Sequence, residues 1–235
     1  MFGRQKIAAL VAEFIGAGVL TLLVLTVQRS SIGVPFFVAS TAGLAIVLMS
    51  FALGTASKAH FNPAITLGWW TARKVDTITA ILYIAFQFLG AWLAAQLYVY
   101  LVGNDLQAVG GKFGWQIFTA EAVGAGIFAF CFASAVYQGF SRAVSASFVG
   151  LGLMIGILAA SSASLGLLNP AVALGANAWV VGTYVAGPIL GAVIGINLYA
   201  TLFAGDIPKL SAVRSSAPAA SKSAKAKRST SKKKK

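Results

Sequence analysis

One segment of this chain occurs twice. Ala12-Glu13-Phe14-Ile15-Gly16-Ala17-Gly18 returns 108 residues later as Ala120-Glu121-Ala122-Val123-Gly124-Ala125-Gly126. His60-Phe61-Asn62-Pro63-Ala64 returns as Leu167-Leu168-Asn169-Pro170-Ala171, and Leu89-Gly90-Ala91 as Leu190-Gly191-Ala192. The three matches keep their order, which marks an internal duplication. Each copy carries three apolar stretches of about 20 residues, the length that crosses about 30 Å of hydrocarbon. They are residues 7–27, 34–56 and 78–101 in the first copy, and 115–137, 144–163 and 183–204 in the second. Three crossings is an odd number, so the second copy enters from the opposite side. The duplication therefore dictates an inverted repeat, an architecture whose binding sites lie near the midplane where broken helices end.

Composition supports the same class, an all-α membrane protein: 58% of the residues are hydrophobic and 10% charged, far from a soluble average. The first stretch follows Arg4 and Lys6, yet it outruns a signal-peptide core and lacks a clear cleavage site, so it is expected to remain as a span. Cys131, the single cysteine, is expected to pack as a small apolar side chain. The net charge of +13 would suggest a nucleic-acid partner if it were spread over a folded surface, but ten of the 18 Lys and Arg residues fall between Lys209 and Lys235. Two regions are therefore expected. A membrane domain covers 1–205, with repeats at about 6–101 and 115–204, and a disordered basic tail covers 206–235. The tail's charge suits a solvated, topology-fixing role and would attract anionic lipid headgroups; nucleic acid is not expected. Arg4, Lys6, Lys58, Arg73, Lys74, Arg142 and the tail share one side and only Arg29 and Lys112 the other, so both termini are expected in the cytoplasm.

The two Asn-Pro-Ala triplets, Asn62-Pro63-Ala64 and Asn169-Pro170-Ala171, fall between the second and third stretch of each copy. Each precedes an apolar run, residues 64–70 and 171–181, too short to cross the membrane. Asparagine is a favoured N-cap and proline suits the first helical position, where its missing donor costs nothing. Each triplet thus reads as the tip of a re-entrant half-helix, and the inversion brings the two tips together. With the side-chain carbonyls capping the helices, the amide nitrogens have donors to offer a passing molecule. The positive helix ends repel cations there, and carbonyls of extended backbone just before each triplet are expected to line the path. A single-file water passage with a cation barrier follows.

At these residues the chain resembles the major intrinsic proteins, the aquaporins and glycerol facilitators, over about residues 6–204. Gln87 with Gly90-Ala91, and Gly187-Pro188, add to the resemblance. It implies six transmembrane helices with two re-entrant half-helices, a homotetramer with one pore per subunit, and a plasma-membrane location. It also implies that Glu13 and Glu121 hydrogen-bond the re-entrant loops and that His60 holds the first loop. The family's second constriction, its selectivity filter, falls by distance from the triplets on Ala42, Ile157, Gly166 and Val172. Where the family usually has an arginine this chain has Val172. The expected filter is wide and apolar, passing water and small uncharged solutes such as glycerol, with weaker proton exclusion than the family norm.

Two other readings stay open on the sequence. A coupled secondary transporter shares inverted repeats and broken helices, and a non-conducting structural member would follow if an apolar filter dewetted. An enzyme is not expected, since no nucleophile–base pair or phosphate loop stands out, and neither a metal nor a cofactor is called for.

Overall fold

A computed structural model of the chain describes residues 3–205; the tail expected at 206–235 lies outside the described residues. Among the described residues the regular structure is helical throughout. The first repeat is α1 (Arg4–Gln28), α2 (Pro35–Ser57), α3 (Pro63–Thr71) and α4 (Thr77–Val102). The second is α5 (Trp115–Tyr137), α6 (Arg142–Ala160), α7 (Pro170–Gly175) and α8 (Ala186–Leu202), the last preceded by one π-helical turn, Val181–Val185. Six helices are long and apolar enough to cross a membrane. The chain is an integral membrane protein, and its burial pattern agrees: Leu44 and Leu48 are 68% and 62% exposed while Glu13, Gln87 and Glu121 are fully buried. Such a surface suits lipid, which demands apolar side chains outside and paired polar groups inside.

Helix boundaries follow local chemistry. Pro35, Pro63 and Pro170 each occupy the first helical position. Asp76 caps α4, accepting from the Thr79 hydroxyl at 2.6 Å and its backbone N–H at 2.9 Å. Those bonds, the hydroxyl's first, hold the Asp76 carboxyl below its ordinary range. Gly103 and Gly139 adopt φ of 73° and 64° just past α4 and α5, conformations for which glycine carries no steric penalty.

The packing repeats about a pseudo-two-fold axis. α1 packs on α4 as α5 packs on α8, and each half-helix packs on the third span of the other repeat, α3 on α8 and α7 on α4. The axis passes between α2 and α6 at Gly43 and Gly150, equivalent positions 107 residues apart. A Cβ on Gly43 would sit 2.8 Å from the Gly150 carbonyl oxygen, and one on Gly150 would sit 2.5 Å from that of Gly43. Only glycine permits the backbones to come so close.

Two details depart from the sequence expectation. The second half-helix stops at Gly175 rather than running to residue 181. Asn177 takes a left-handed φ of 56°, and the N–H groups of Asn177 and Ala178 turn back to the carbonyls of Leu174 and Ala173, closing the helix in a Schellman motif. The Asn177 side chain also donates to the Leu106 carbonyl at 2.8 Å, which favours ending the helix there. The backbone before each triplet, expected to be extended, is kinked instead. Lys58, Ala59 and Phe61 have φ of 70°, 57° and 50°, and Gly166 and Leu168 have 63° and 51°. Left-handed residues cost roughly 1–2 kcal/mol each outside glycine.

Candidate pore and its constrictions

The left-handed residues turn consecutive N–H groups toward one point, forming a nest for an anion. In the first repeat that anion is Glu13. Its Oε1 accepts from His60 N at 3.0 Å and its Oε2 from Phe61 N at 2.7 Å, while Gln87 Nε2 donates to Oε2 at 2.6 Å. In the second repeat Glu121 accepts from Leu167 N at 3.0 Å and Leu168 N at 2.7 Å, and from the Ser164 hydroxyl at 2.8 Å. His60 is buried, its Nδ1 3.2 Å from Thr66 Oγ1, which also accepts from Gln87 Nε2 at 3.0 Å. A carboxylate so fully paired suits a loop anchor better than a proton carrier.

Held this way, the two triplets meet. Asn62 Oδ1 accepts from Ala64 N at 2.8 Å, and Asn169 Oδ1 from Ala171 N at 2.9 Å and, more weakly, Val172 N at 3.4 Å. Each amide nitrogen then donates across the repeat boundary. Asn62 Nδ2 reaches the Leu168 carbonyl and Asn169 Nδ2 the Phe61 carbonyl, both at 2.9 Å. These reciprocal bonds tie the tips together and take one of the two N–H donors on each amide. Pro63, Ala64, Pro170 and Ala171 are buried behind them.

One narrow cavity, with a volume of about 10 Å³, room for little more than one water at a time, runs outward from these tips. Both asparagines line it, together with all four filter candidates, Ala42, Ile157, Gly166 and Val172. Its other walls are Leu20 and Val24 of α1, Val38 and Ile46 of α2, Phe128 of α5, Leu153 of α6, and Leu167. Asn62 and Asn169 are thus the only polar side chains in its lining. On the far side of the tips two further cavities open, and Ser50, Gly54, Val149 and Phe132 line them. Along α2 the lining positions are Val38, Ala42, Ile46, Ser50 and Gly54, every fourth residue, which is one helix face. Val38 to Gly54 spans about 24 Å at 1.5 Å per residue, most of the hydrocarbon thickness.

Sequence reasoning missed several of these residues. Ser57 and Ser164, equivalent positions, accept from the N–H two residues on, Ala59 and Gly166, at 3.1 Å and 2.9 Å. Their recurrence 107 residues apart was a readable signal. The five-residue stripe on α2 was another. Arg29 was read only as a topology marker, yet its guanidinium donates to the carbonyls of Gln107 at 2.8 Å and Ala176 at 3.1 Å, pinning the end of α7. Among the described residues no group of three His, Cys, Asp or Glu side chains is placed to hold a metal.

Known proteins share this plan. Aquaporin Z of Photorhabdus laumondii is 30% identical, the match covering 83% of this chain and 97% of that one. Aquaporin AqpM of Methanothermobacter thermautotrophicus is also 30% identical, over 67% of this chain and 72% of its own. The X-ray structure of the aquaglyceroporin from Plasmodium falciparum superposes with a TM-score of 0.71, over 84% of this chain and 96% of that one. At 19% identity that likeness speaks to the fold alone. The family model described as major intrinsic protein matches residues 3–199, nearly all of the described helices, so this chain belongs to the major intrinsic protein family.

Proposed function

We propose that the chain is a passive channel for water and small uncharged solutes such as glycerol, with both termini in the cytoplasm of a cell whose plasma membrane it spans as a homotetramer. The observation that carries this is the lining of the cavity: two asparagine amides at its inner end and apolar walls beyond them. After the cross-repeat bonds each amide retains one N–H, a pair of donors that a water or hydroxyl oxygen accepts from in passing. The N-termini of α3 and α7 face the same point and raise the cost of a cation there. Family membership supports a channel over an enzyme.

Ala42, Ile157, Gly166 and Val172 act as the filter in this reading. With no charge and little bulk at Ala42 and Gly166, they discriminate by size and by desolvation rather than by hydrogen bonding. A polyol crosses such a collar more easily than one closed by an arginine. Proton exclusion then rests on the midplane alone and is weaker.

Stopped-flow measurement of water, glycerol and proton flux in the same proteoliposomes tests the assignment. Val172→Arg is expected to lower glycerol permeability about tenfold, equivalent to 1.4 kcal/mol of barrier, while reducing water flow less. Glycerol flux no higher than in protein-free vesicles, beside fast water flow, overturns the wide filter. Water flow no higher than in protein-free vesicles favours a non-conducting protein instead.

A further inference from the structure

The mouth opposite the apolar collar carries charge that the channel reading does not use. Its two adjoining cavities hold about 780 and 670 Å³ of open space and share Lys58, Phe132 and Val136. Arg142 lines the first and Lys74 the second, so Lys58 shares one cavity with each of them. They come from three separate elements: the C-cap of α2, the turn after α3, and the first residue of α6. Two of them are held in place by rings. The Lys74 ammonium lies 5.2 Å from the centroid of Tyr137, and the Arg142 guanidinium 4.6 Å from that of Phe51. Cation–π contacts of this kind orient the charges without neutralising them.

No carboxylate lines either cavity. Of the four acids among the described residues, Glu13 and Glu121 are spent on the loop nests, Asp76 lines a separate groove with Lys6, and Asp105 lies beyond α4, at the opposite side. Three like charges along two adjoining half-open cavities concentrate positive potential there and raise the local anion concentration. The remaining lining supplies hydroxyls, Ser50, Thr55 and Ser145, and no acid.

The geometry points to an anion site at this mouth, formed by Lys58, Lys74 and Arg142, for a small soluble phosphate-bearing anion. Guanidinium and ammonium groups together match a phosphate, the first as a planar fork and the second as a point charge. A lipid headgroup offers the same chemistry and Arg142 leans on the half-exposed ring of Phe51, but the lining residues Ser50, Val149 and Phe132 continue the pore stripes. A soluble anion is therefore the occupant. Because the site lies on the conduction path, its occupancy obstructs flow, a consequence that rests on the channel reading.

Binding is measured first, by calorimetric titration of inorganic phosphate into the full-length protein in detergent at constant ionic strength. The basic tail contributes the same background to every variant. Lys58→Gln/Lys74→Gln is expected to weaken binding about tenfold, two exposed charge pairs of roughly 0.7 kcal/mol each, and Arg142→Gln by a smaller factor, whereas Arg4→Gln leaves it unchanged. Equal binding in all variants, or none beyond the tail's background, overturns the site. Water permeability in phosphatidylcholine proteoliposomes is then compared in phosphate and in chloride. A fall in phosphate that the double variant abolishes supports obstruction. Phosphate binding with no basal water flow keeps the site and removes the channel reading. The same loss of flow in phosphatidylserine-containing vesicles without phosphate overturns the soluble anion in favour of the headgroup.

Discussion

The two repeats anchor their re-entrant loops with the same device and finish it differently. In both, a buried glutamate accepts from two consecutive backbone N–H groups, His60 and Phe61 in one and Leu167 and Leu168 in the other. The first repeat adds a ring of polar side chains: Gln87 reaches both Glu13 and Thr66, and Thr66 in turn contacts His60. At the equivalent positions the second repeat has Pro188, Ala173 and Leu167. There the only side chain on the carboxylate is that of Ser164, whose counterpart Ser57 also bonds Glu13. The loop is otherwise packed by apolar groups, and its half-helix is three residues shorter, six against nine. Inversion thus constrains the tips, which must match to meet, and leaves each mouth free to diverge. One mouth became polar and cationic and the other apolar.

This contrast makes unequal predictions for equivalent substitutions. Each donor orphaned in the interior costs roughly 1–3 kcal/mol. Glu13→Ala frees His60 N, Phe61 N and one N–H of Gln87, and takes away a partner of the Ser57 hydroxyl as well. Glu121→Ala frees two backbone donors, because the Ser164 hydroxyl has a second acceptor in the Ala160 carbonyl at 3.1 Å. Both variants should unfold at lower temperature in detergent, Glu13→Ala by the larger step; equal losses would break the claim that the first loop is the more heavily braced. On the pseudo-two-fold axis the expectation is closer to parity. Gly43→Ala and Gly150→Ala both overpack the α2–α6 crossing at about 1–3 kcal/mol. Gly150→Ala should cost more, since its methyl meets the Val47 side chain and the Gly43 carbonyl more closely than a methyl on Gly43 meets the Met154 side chain and the Gly150 carbonyl, and thermal melts of the two proteins measure the difference.

The smallest effect separates the starts of the third spans. α4 is capped by Asp76, whereas the turn before α8 has no side-chain cap. Asp76→Ala should lower the melting temperature slightly and only above the carboxyl's titration. The folded-state pKa is depressed, so the cap's contribution is present above the unfolded value and disappears as pH falls through the folded one. Melts recorded at neutral and acidic pH should therefore differ between native and variant proteins at neutral pH and converge in acid. A difference that persists in acid would show that the cap does not depend on charge.

Much of the fold was legible in advance, and the reasons are local. Span lengths, the odd number of spans per repeat, and the N-cap and proline of each triplet act over a few residues, so the starts of α3 and α7 were readable to the residue. The end of α7 was not. It depends on Asn177 and Arg29 finding carbonyls at Leu106, Gln107 and Ala176, groups brought near only when the chain has closed. Counting from the triplets put Ala42 and Ile157 on the same cavity as Gly166 and Val172, because helices keep register over many residues. The same counting could not predict that each asparagine amide would spend one donor on the opposite loop.

By itself, then, the sequence determined an inverted, membrane-spanning repeat with two half-helices starting at Asn62 and Asn169, since duplication, apolar length and capping are properties of neighbouring residues. Tertiary structure decided which side chains share a cavity, how the tips are tied, and that Lys58, Lys74 and Arg142 line two adjoining cavities. Those relations join residues tens to more than a hundred positions apart, and only the packing of α2 on α6 and of each half-helix on the opposite repeat brings them within reach.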